Sequence, residues 1–557
     1  MKIFSKVFLR LFKPRIRQLS SWNSDDLFTY TSGRFLFNEE VRRSERFVRF
    51  DVNALAAVIC RCANRSRSEL TSITKLAEGG FNRILQATFS DGYAVLARIP
   101  YRTTIPKHYA IASEAATLGL LYARGIPVPK VLGYSSDSKN SVGTEYLLLE
   151  KLNGTPLGDQ WFTMDNKTRV KIMRQIVNVE KQWMSIELPA SGSLFYLKDL
   201  QPPDFAIPLS EQPTSDQIVV GPTAQLQWWY EHRSSLTVNR GPWKTFRECF
   251  EAPAKREIEF CERFGKPRLH IERYLRELHH FKEMSPTVHA SLLAEVLMLI
   301  SQLDLPPSHP FSRPVLRHPD FSPNNILIND SHDIVGVIDW QHAVALPLCL
   351  CAGIPDHFQN WGDPLSESLA KPELTLPENF DTLSEEEQER IQESMRKRLV
   401  HFYYAAMTLK QLPDHFDALR TNGAMLRAKL FNRAGAPWEG DSLSLRHTII
   451  QVCTCWPLPY DDTPRELGPC PVQYSEEQRN DFISQYNQEQ EKLEELSDIR
   501  AHIGIDSQGW VPDDDHLAQA KAIAQSIKAG LLAHSETDIE RIALQQHFPF
   551  DDHDERA

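Results

Sequence analysis

The sequence predicts an α+β chain of two lobes, a small β-rich one followed by a large, mainly helical one. Three observations carry this. Between residues 73 and 152 short apolar runs alternate with turn residues. Beyond Asn153-Gly154 apolar residues recur at helical spacing. A β-rich island, residues 315–338, then interrupts the helical part. The 557 residues are too many for one average domain and suffice for two lobes with appendages.

In chain order, residues 25–70 read as an aromatic, arginine-rich N-terminal extension that packs on the body. The small lobe, residues 71–152, opens with strands over 73–77, 84–89 and 93–99. The break Glu78-Gly79-Gly80 parts the first two, and Ser90-Asp91-Gly92 turns the second into the third; Asp-Gly between apolar runs is a hairpin signal because glycine accepts positive φ. Ile111, Ala115, Leu118 and Tyr122 then mark a helix over 107–124, ended by Gly125, Pro127 and Pro129. Strands over 128–134 and 145–152 complete the lobe.

The helical lobe, residues 153–474, carries helical patterns over 168–187 and 267–303, with an irregular Pro- and Trp-rich stretch between them. Trp228, Trp229 and Trp243 of that stretch read as core. Ser384 with Glu387 three residues on is a capping box that starts another helix. The tail, residues 475–557, begins as a strongly charged, solvated helix and ends acidic.

Composition narrows the function. The net charge of −11 becomes −17 once the first 24 residues, with six basic side chains and no acid, are set aside. An acidic body argues against nucleic-acid binding, which needs a basic, counterion-releasing surface. No run of 18 apolar residues exists, so no transmembrane segment is expected. Nine cysteines form no C-x-x-C pair; the i, i+2 pairs only place thiols on one strand face, and a reducing interior fits them better than a disulfide framework or a zinc site.

Residues 1–24 look like an address. Ile3, Phe4, Val7, Phe8 and Leu11 form one helical stripe, and Lys2, Lys6, Arg10 and Lys13 line another face. A basic, acid-free amphipathic start is what a mitochondrial transit peptide requires, and Arg17-Gln18-Leu19-Ser20-Ser21 suits a matrix protease. The expected location is the mitochondrial matrix, with the import machinery as a partner.

The strongest signal is His318-Pro319-Asp320-Phe321-Ser322-Pro323-Asn324-Asn325-Ile326-Leu327-Ile328, followed by Val335-Gly336-Val337-Ile338-Asp339-Trp340. Phosphoryl transfer needs a carboxylate for the attacking hydroxyl and hard oxygen ligands for Mg²⁺ on the nucleotide phosphates. A loop with Asp320 and Asn325, and a hairpin that delivers Asp339 beside them, supplies both. Taken singly, each would be a turn residue or a helix cap; three together, around buried strands, are a reaction centre.

Here the chain resembles the aminoglycoside phosphotransferase and choline-kinase-like superfamily, whose pattern is H-x-D-x-x-x-x-N-[IL]-L followed by I-D-[WFD]. The resemblance implies a protein-kinase-like fold, ATP and Mg²⁺ as cofactors, Asp320 as catalytic base, Asn325 and Asp339 as metal ligands, and His318 as a loop-supporting residue. It makes the stretch around Gly79, Gly80 and Asn82 a nucleotide-covering loop, with glycines that let backbone N–H groups approach phosphate. Arg98 stands where kinases carry a phosphate-binding lysine, which is a departure because the guanidinium is bulkier and forked. Glu114 matches the acid that anchors that basic residue, and Lys107 could assist it or be a surface residue. Glu150 and Leu152 fall where backbone groups bind adenine.

A closer resemblance, carried by Ala190-Ser191-Gly192-Ser193-Leu194, Ile338-Asp339-Trp340-Gln341-His342-Ala343, Ala352-Gly353-Ile354-Pro355 and Phe358-Gln359-Asn360, is to fungal mitochondrial phosphotransferase-like proteins named for altered inheritance of mitochondria. The expected activity is Mg·ATP-dependent phosphorylation of a small-molecule hydroxyl. The rival is a mitochondrial pseudokinase that binds nucleotide or serves as a scaffold, motivated by Arg98 and the long tail. Protein phosphorylation fits less well, since no activation segment with an A-P-E-like close follows Asp339.

Overall fold

The computed structural model describes residues 24–202, 204–209, 216–373, 375–459 and 468–555. All but the last residue of the expected leader lies outside them. An antiparallel five-stranded sheet forms the small lobe, in the order Leu70–Glu78, Asn82–Phe89, Ala94–Pro100, Tyr146–Glu150, Val131–Ser135. Between the second and third strands Gly92 takes φ 86°, and the Asp91 carboxylate accepts the Tyr93 amide at 3.1 Å, closing the turn as the Asp-Gly pair predicts. The helix Lys107–Ala123 follows and is buried on most of its surface, although Tyr122 is exposed and does not join the apolar stripe.

The sheet is two-sided. Leu147 faces the large core shared with the helical lobe, while Leu85, Ala87, Val95, Ala97 and Ile99 pack on a second cluster. The extension supplies that second cluster with Phe35, Phe50, Leu55 and Ile59. Its helix Val52–Cys62 starts where Asp51 accepts the Ala54 amide at 2.9 Å.

The larger lobe is built on the helices Asn166–Met184, Phe246–Arg263, Pro286–Leu303, Glu385–Gln411, Asn422–Gly435 and Leu443–Thr454. The helical pattern read over 267–303 is realised only as Pro286–Leu303, with Ser285 as N-cap and proline in the first turn. Residues 267–285 instead form turns tied by an Arg268–Met284 bridge, so their apolar side chains serve loop packing. The Pro- and Trp-rich stretch proves more regular than its composition suggests. It holds the helix Phe246–Arg263 and a three-stranded sheet of Ser193–Tyr196, Ile218–Gly221 and Ile207–Pro208. Pro253 inside that helix, and strands of two to four residues, hid both from pattern reading. Trp228 and Trp243 are core.

Pro286–Leu303 is the one helix among the described residues long and apolar enough to cross a membrane. Leu292, Leu293, Val296, Leu299, Ile300 and Leu303 are buried in the large core instead.

The tail also does more than solvate. Its helix Glu476–Ile503 starts on the capping box of Ser475 and Gln478 and is largely exposed, but Leu496 and Ile503 are buried. Beyond it Trp510–Val511 pairs antiparallel with Arg34–Phe35, and Leu36, Phe37, Val511, Leu517, Phe548 and Phe550 share one cluster. The N-terminal extension and the tail thus close on each other and on the small lobe.

Candidate active site

The loop from His318 to Asn325 runs between the strand Pro314–Arg317 and the hairpin Ile326–Ile328/Ile334–Val337. Arg317, just before it, is anchored in the core: its guanidinium meets Glu180 at 2.5 Å and the Gly353 carbonyl at 3.1 Å. Tyr404 holds the other oxygen of Glu180. Burial pushes the Glu180 carboxyl up, and Arg317 opposes that.

His318 fixes the turn. The Asp320 amide can only donate, so Nδ1 of His318 accepts it at 3.1 Å and the proton sits on Nε2, which donates to the Ile338 carbonyl at 2.9 Å. Burial holds this histidine down at about 4, so it stays neutral. Its ring lies edge-on to Trp340, 4.6 Å between centroids, and Trp340 in turn packs on Trp183.

Asn325 completes the corner. Its Nδ2 donates to the Asp320 carbonyl and to Asp320 Oδ2, both at 2.9 Å. Its own carbonyl accepts the Ile338 amide at 2.9 Å. The chain then turns sharply at Asp339, which takes φ 66°, a left-handed conformation that aspartate tolerates better than most residues. Asp320, Asn325 and Asp339 are therefore drawn to one corner, with both carboxylates exposed above buried strands.

The small lobe reaches this corner through Arg98. Its guanidinium pairs with Glu114 and Gln341 and meets Asp339 Oδ1 at 2.8 Å. Burial works against the Arg98 charge, but the Glu114 and Asp339 carboxylates outweigh it, so its pKa is raised. Burial in turn lifts Glu114, against the pull of Arg98. Arginine's planar fork holds these three partners in a fixed geometry that lysine's compact, rotating ammonium does not impose.

Asn82 stands behind the glycine loop, its side-chain amide against Gln341 and its oxygen turned to accept from the Arg98 guanidinium at 2.7 and 3.0 Å. Gly79 spends its amide on the Asn82 carbonyl at 2.9 Å. A Cβ on Gly80 would meet nothing within 4 Å, and φ there is not positive, so the fold itself does not require that glycine. Glu78 is braced from the N-terminal extension by the Thr31 amide at 2.8 Å and the Ser32 hydroxyl at 3.0 Å, and by Arg83 at 3.0 Å. Lys107 pairs with Glu145 at 3.6 Å and takes no part. The Glu150 amide is used by the Lys130 carbonyl at 2.9 Å. Leu152 lies over Gly336, where a Cβ would come within 2.3 Å of its Cδ1, so the lobe connector sits directly against the Ile326–Ile328/Ile334–Val337 hairpin.

Sequence reasoning missed Gln341 as a working residue. It is buried and joins Asn82, Arg98 and, through Nε2, His342 at 3.1 Å. Only its place two residues after Asp339 could have pointed to it. The segment around Ser193 turns out to be a brace: Ser193 Oγ donates to the Ala343 carbonyl at 2.9 Å, and Gly192 bonds Ala345 in both directions.

Residues 72–349 match the phosphotransferase enzyme family. The chain is 30% identical to a subtelomeric hrmA-associated cluster protein of Aspergillus fumigatus, over 87% of this chain and 97% of that one. It belongs to the phosphotransferase enzyme family. Within that family it is also similar to altered inheritance of mitochondria protein 9, mitochondrial, of Yarrowia lipolytica, at 23% identity over 88% of this chain and 85% of that one. Among solved structures, the streptomycin–ATP ternary complex of APH(2″)-IIa aligns with a TM-score of 0.32 and 12% identity, over 73% of this chain and 97% of that one. The chain has the family's two-lobed, kinase-like architecture: an antiparallel sheet lobe, a connector, and a helical lobe that carries the His318–Asn325 loop.

Proposed function

We propose that this family member is a Mg·ATP-dependent phosphotransferase that acts on a hydroxyl of a small molecule. The observation that carries the reading is the shared corner of Asp320, Asn325 and Asp339 at the junction of the two lobes. In that reading Asp320 takes the proton of the acceptor hydroxyl. Asn325 and Ser322 steady its Oδ2, at 2.9 and 3.4 Å, which leaves Oδ1 to face the acceptor. The donor set suits a hard divalent cation: with Asn325 Nδ2 turned to Asp320, its Oδ1 and the exposed Asp339 carboxylate would be the oxygen ligands. Such a cation, when bound, neutralises charge on the nucleotide phosphates. Arg98 would hold Asp339 in place and contact phosphate, and Gly79 and Gly80 would cover the nucleotide from above. Glu150 and Leu152, at the connector, would flank the base.

The leader 1–24 and the mitochondrial name of the relatives support a place in the mitochondrial matrix. N-terminal sequencing of the organelle-purified protein should find a start near Ser20.

A second reading, a nucleotide-binding pseudokinase, is favoured by the engagement of Asp339 with Arg98. Purified chain, Mg·ATP and a metabolite extract decide between them. A species that gains one phosphate with wild type and not with Asp339→Ala supports the enzyme. Nucleotide binding without turnover across the extract supports the scaffold.

A further inference from the structure

A second group of ligand-type side chains lies outside the Asp320 corner and shares no residue with it. His270 and His279 come from the turn-rich segment 267–285, and Glu489 comes from the tail helix Glu476–Ile503. Their ligand atoms all lie within 4.8 Å of one another. His270 and Glu489 are buried, and the two imidazoles are stacked with centroids 5.3 Å apart.

Ordinary hydrogen bonding does not account for this arrangement. His279 Nε2 and Glu489 Oε2 are 3.3 Å apart, yet neither makes a properly directed hydrogen bond in its buried setting. A buried carboxylate oxygen and a ring nitrogen left without partners cost roughly 1–3 kcal/mol each. Ligands of one metal ion, by contrast, aim at a common point and not at each other. With bonds of about 2.05 Å in a tetrahedron, neighbouring ligand atoms stand about 3.3 Å apart. His270 can join through Nε2 by a change of tautomer: its Nδ1, which accepts the Glu272 amide at 3.0 Å, also lies 3.2 Å from the Glu272 carbonyl, which would take the proton displaced from Nε2 and orient the ring.

The geometry points to a divalent transition-metal site, His270–His279–Glu489, of the kind that takes Zn²⁺. Two imidazoles and one carboxylate favour a borderline ion such as Zn²⁺ over the hard ions Mg²⁺ and Ca²⁺. Three protein ligands leave a fourth position for water. The ion joins residues 279 and 489 and so fastens the tail helix to the helical lobe. Beside it, Arg500 pairs with Glu272 at 2.8 Å and secures the same seam. Since the tail also pairs with the N-terminal extension through Trp510–Val511, the ion closes a belt around both lobes.

The test uses the full chain stripped with a chelator and then titrated with Zn²⁺ alone. One Zn²⁺ per chain is expected, with an upward shift of the thermal midpoint that Mg²⁺ does not reproduce. His279→Ala and Glu489→Gln should each weaken Zn²⁺ binding by on the order of 100-fold or more. Should those variants fail to fold, Co²⁺ added to stripped wild type provides the readout. The intense visible bands of a four-coordinate ion support the site, and the faint spectrum of aquated Co²⁺ overturns it. The proposal is equally overturned if Zn²⁺ leaves the midpoint unmoved, or if folded variants bind it as wild type does.

Discussion

The buried pair of Arg98 and Glu114 offers a sharp test, because it separates what this arginine does for the fold from what it does for a ligand. Glu114 is 1% exposed and Arg98 5%. Arg98→Met leaves the Glu114 carboxyl buried without its cation, which costs about 3–5 kcal/mol. The contact with Asp339, whose side chain is half exposed, adds no more than about 1 kcal/mol. Removing both members with Arg98→Met/Glu114→Leu leaves no stranded charge, and such replacements are near neutral. The double variant should therefore recover about 2–4 kcal/mol relative to the single one, a coupling far above the ~0.5 kcal/mol of independent sites. Urea unfolding followed by circular dichroism measures the cycle, and calorimetric titration with Mg·ATP measures affinity in the same samples. Stability should return in the double variant; on the proposed reading, in which Arg98 contacts phosphate, nucleotide affinity should stay low. A single variant that loses less than about 1 kcal/mol, or a double variant no more stable than the single one, would refute the buried-pair reasoning.

Three further outcomes are expected. Gly80→Ala should leave stability unchanged or raise it by a few tenths of a kcal/mol, since the Cβ enters open space; a lowered Mg·ATP affinity in that folded variant would show that the loop covers a ligand, and unchanged affinity would deny it. Gly192→Ala should be strongly destabilising, because φ is 153° and the new Cβ would lie 2.3 Å from the Gly221 carbonyl oxygen, so a thermal midpoint equal to wild type would contradict the packing. Stability should also fall as pH drops from 6.5 towards 4. Burial holds His289 down at about 4, and His415, also buried, accepts the Gly353 amide at 3.2 Å through a lone pair that a proton would occupy. Below pH 6.5 the unfolded chain binds protons that the folded one refuses, which for His289 amounts to about 3 kcal/mol across that window. Urea midpoints that stay level or rise on acidification would contradict this.

How far the sequence could be read depends on the range of the interactions. The Asp91-Gly92 turn, the Ser384–Glu387 capping box and the Asp320–Asn325 spacing are local, and each appears where its residues point. The helix Phe246–Arg263 was hidden by an internal proline whose lost hydrogen bond is offset by the core around Phe246, Phe250 and Ala254. Asn82 read as part of a nucleotide-covering loop on the family resemblance; that its side chain lies against Arg98 and Gln341, the latter 259 residues away in sequence, is a long-range contact.

By itself, then, the order of residues determined the alternation of strands and helices and the spacing of Asp320, Asn325 and Asp339, because propensity, turn geometry and motif spacing act within about twenty positions. Tertiary structure alone decided that Arg98 is held by Glu114, Gln341 and Asp339, that the tail clasps the N-terminal extension, and that His270 and His279 meet Glu489. Those contacts join residues far apart in the chain. They exist only because burying the apolar faces beneath them offsets the entropy of bringing such segments together.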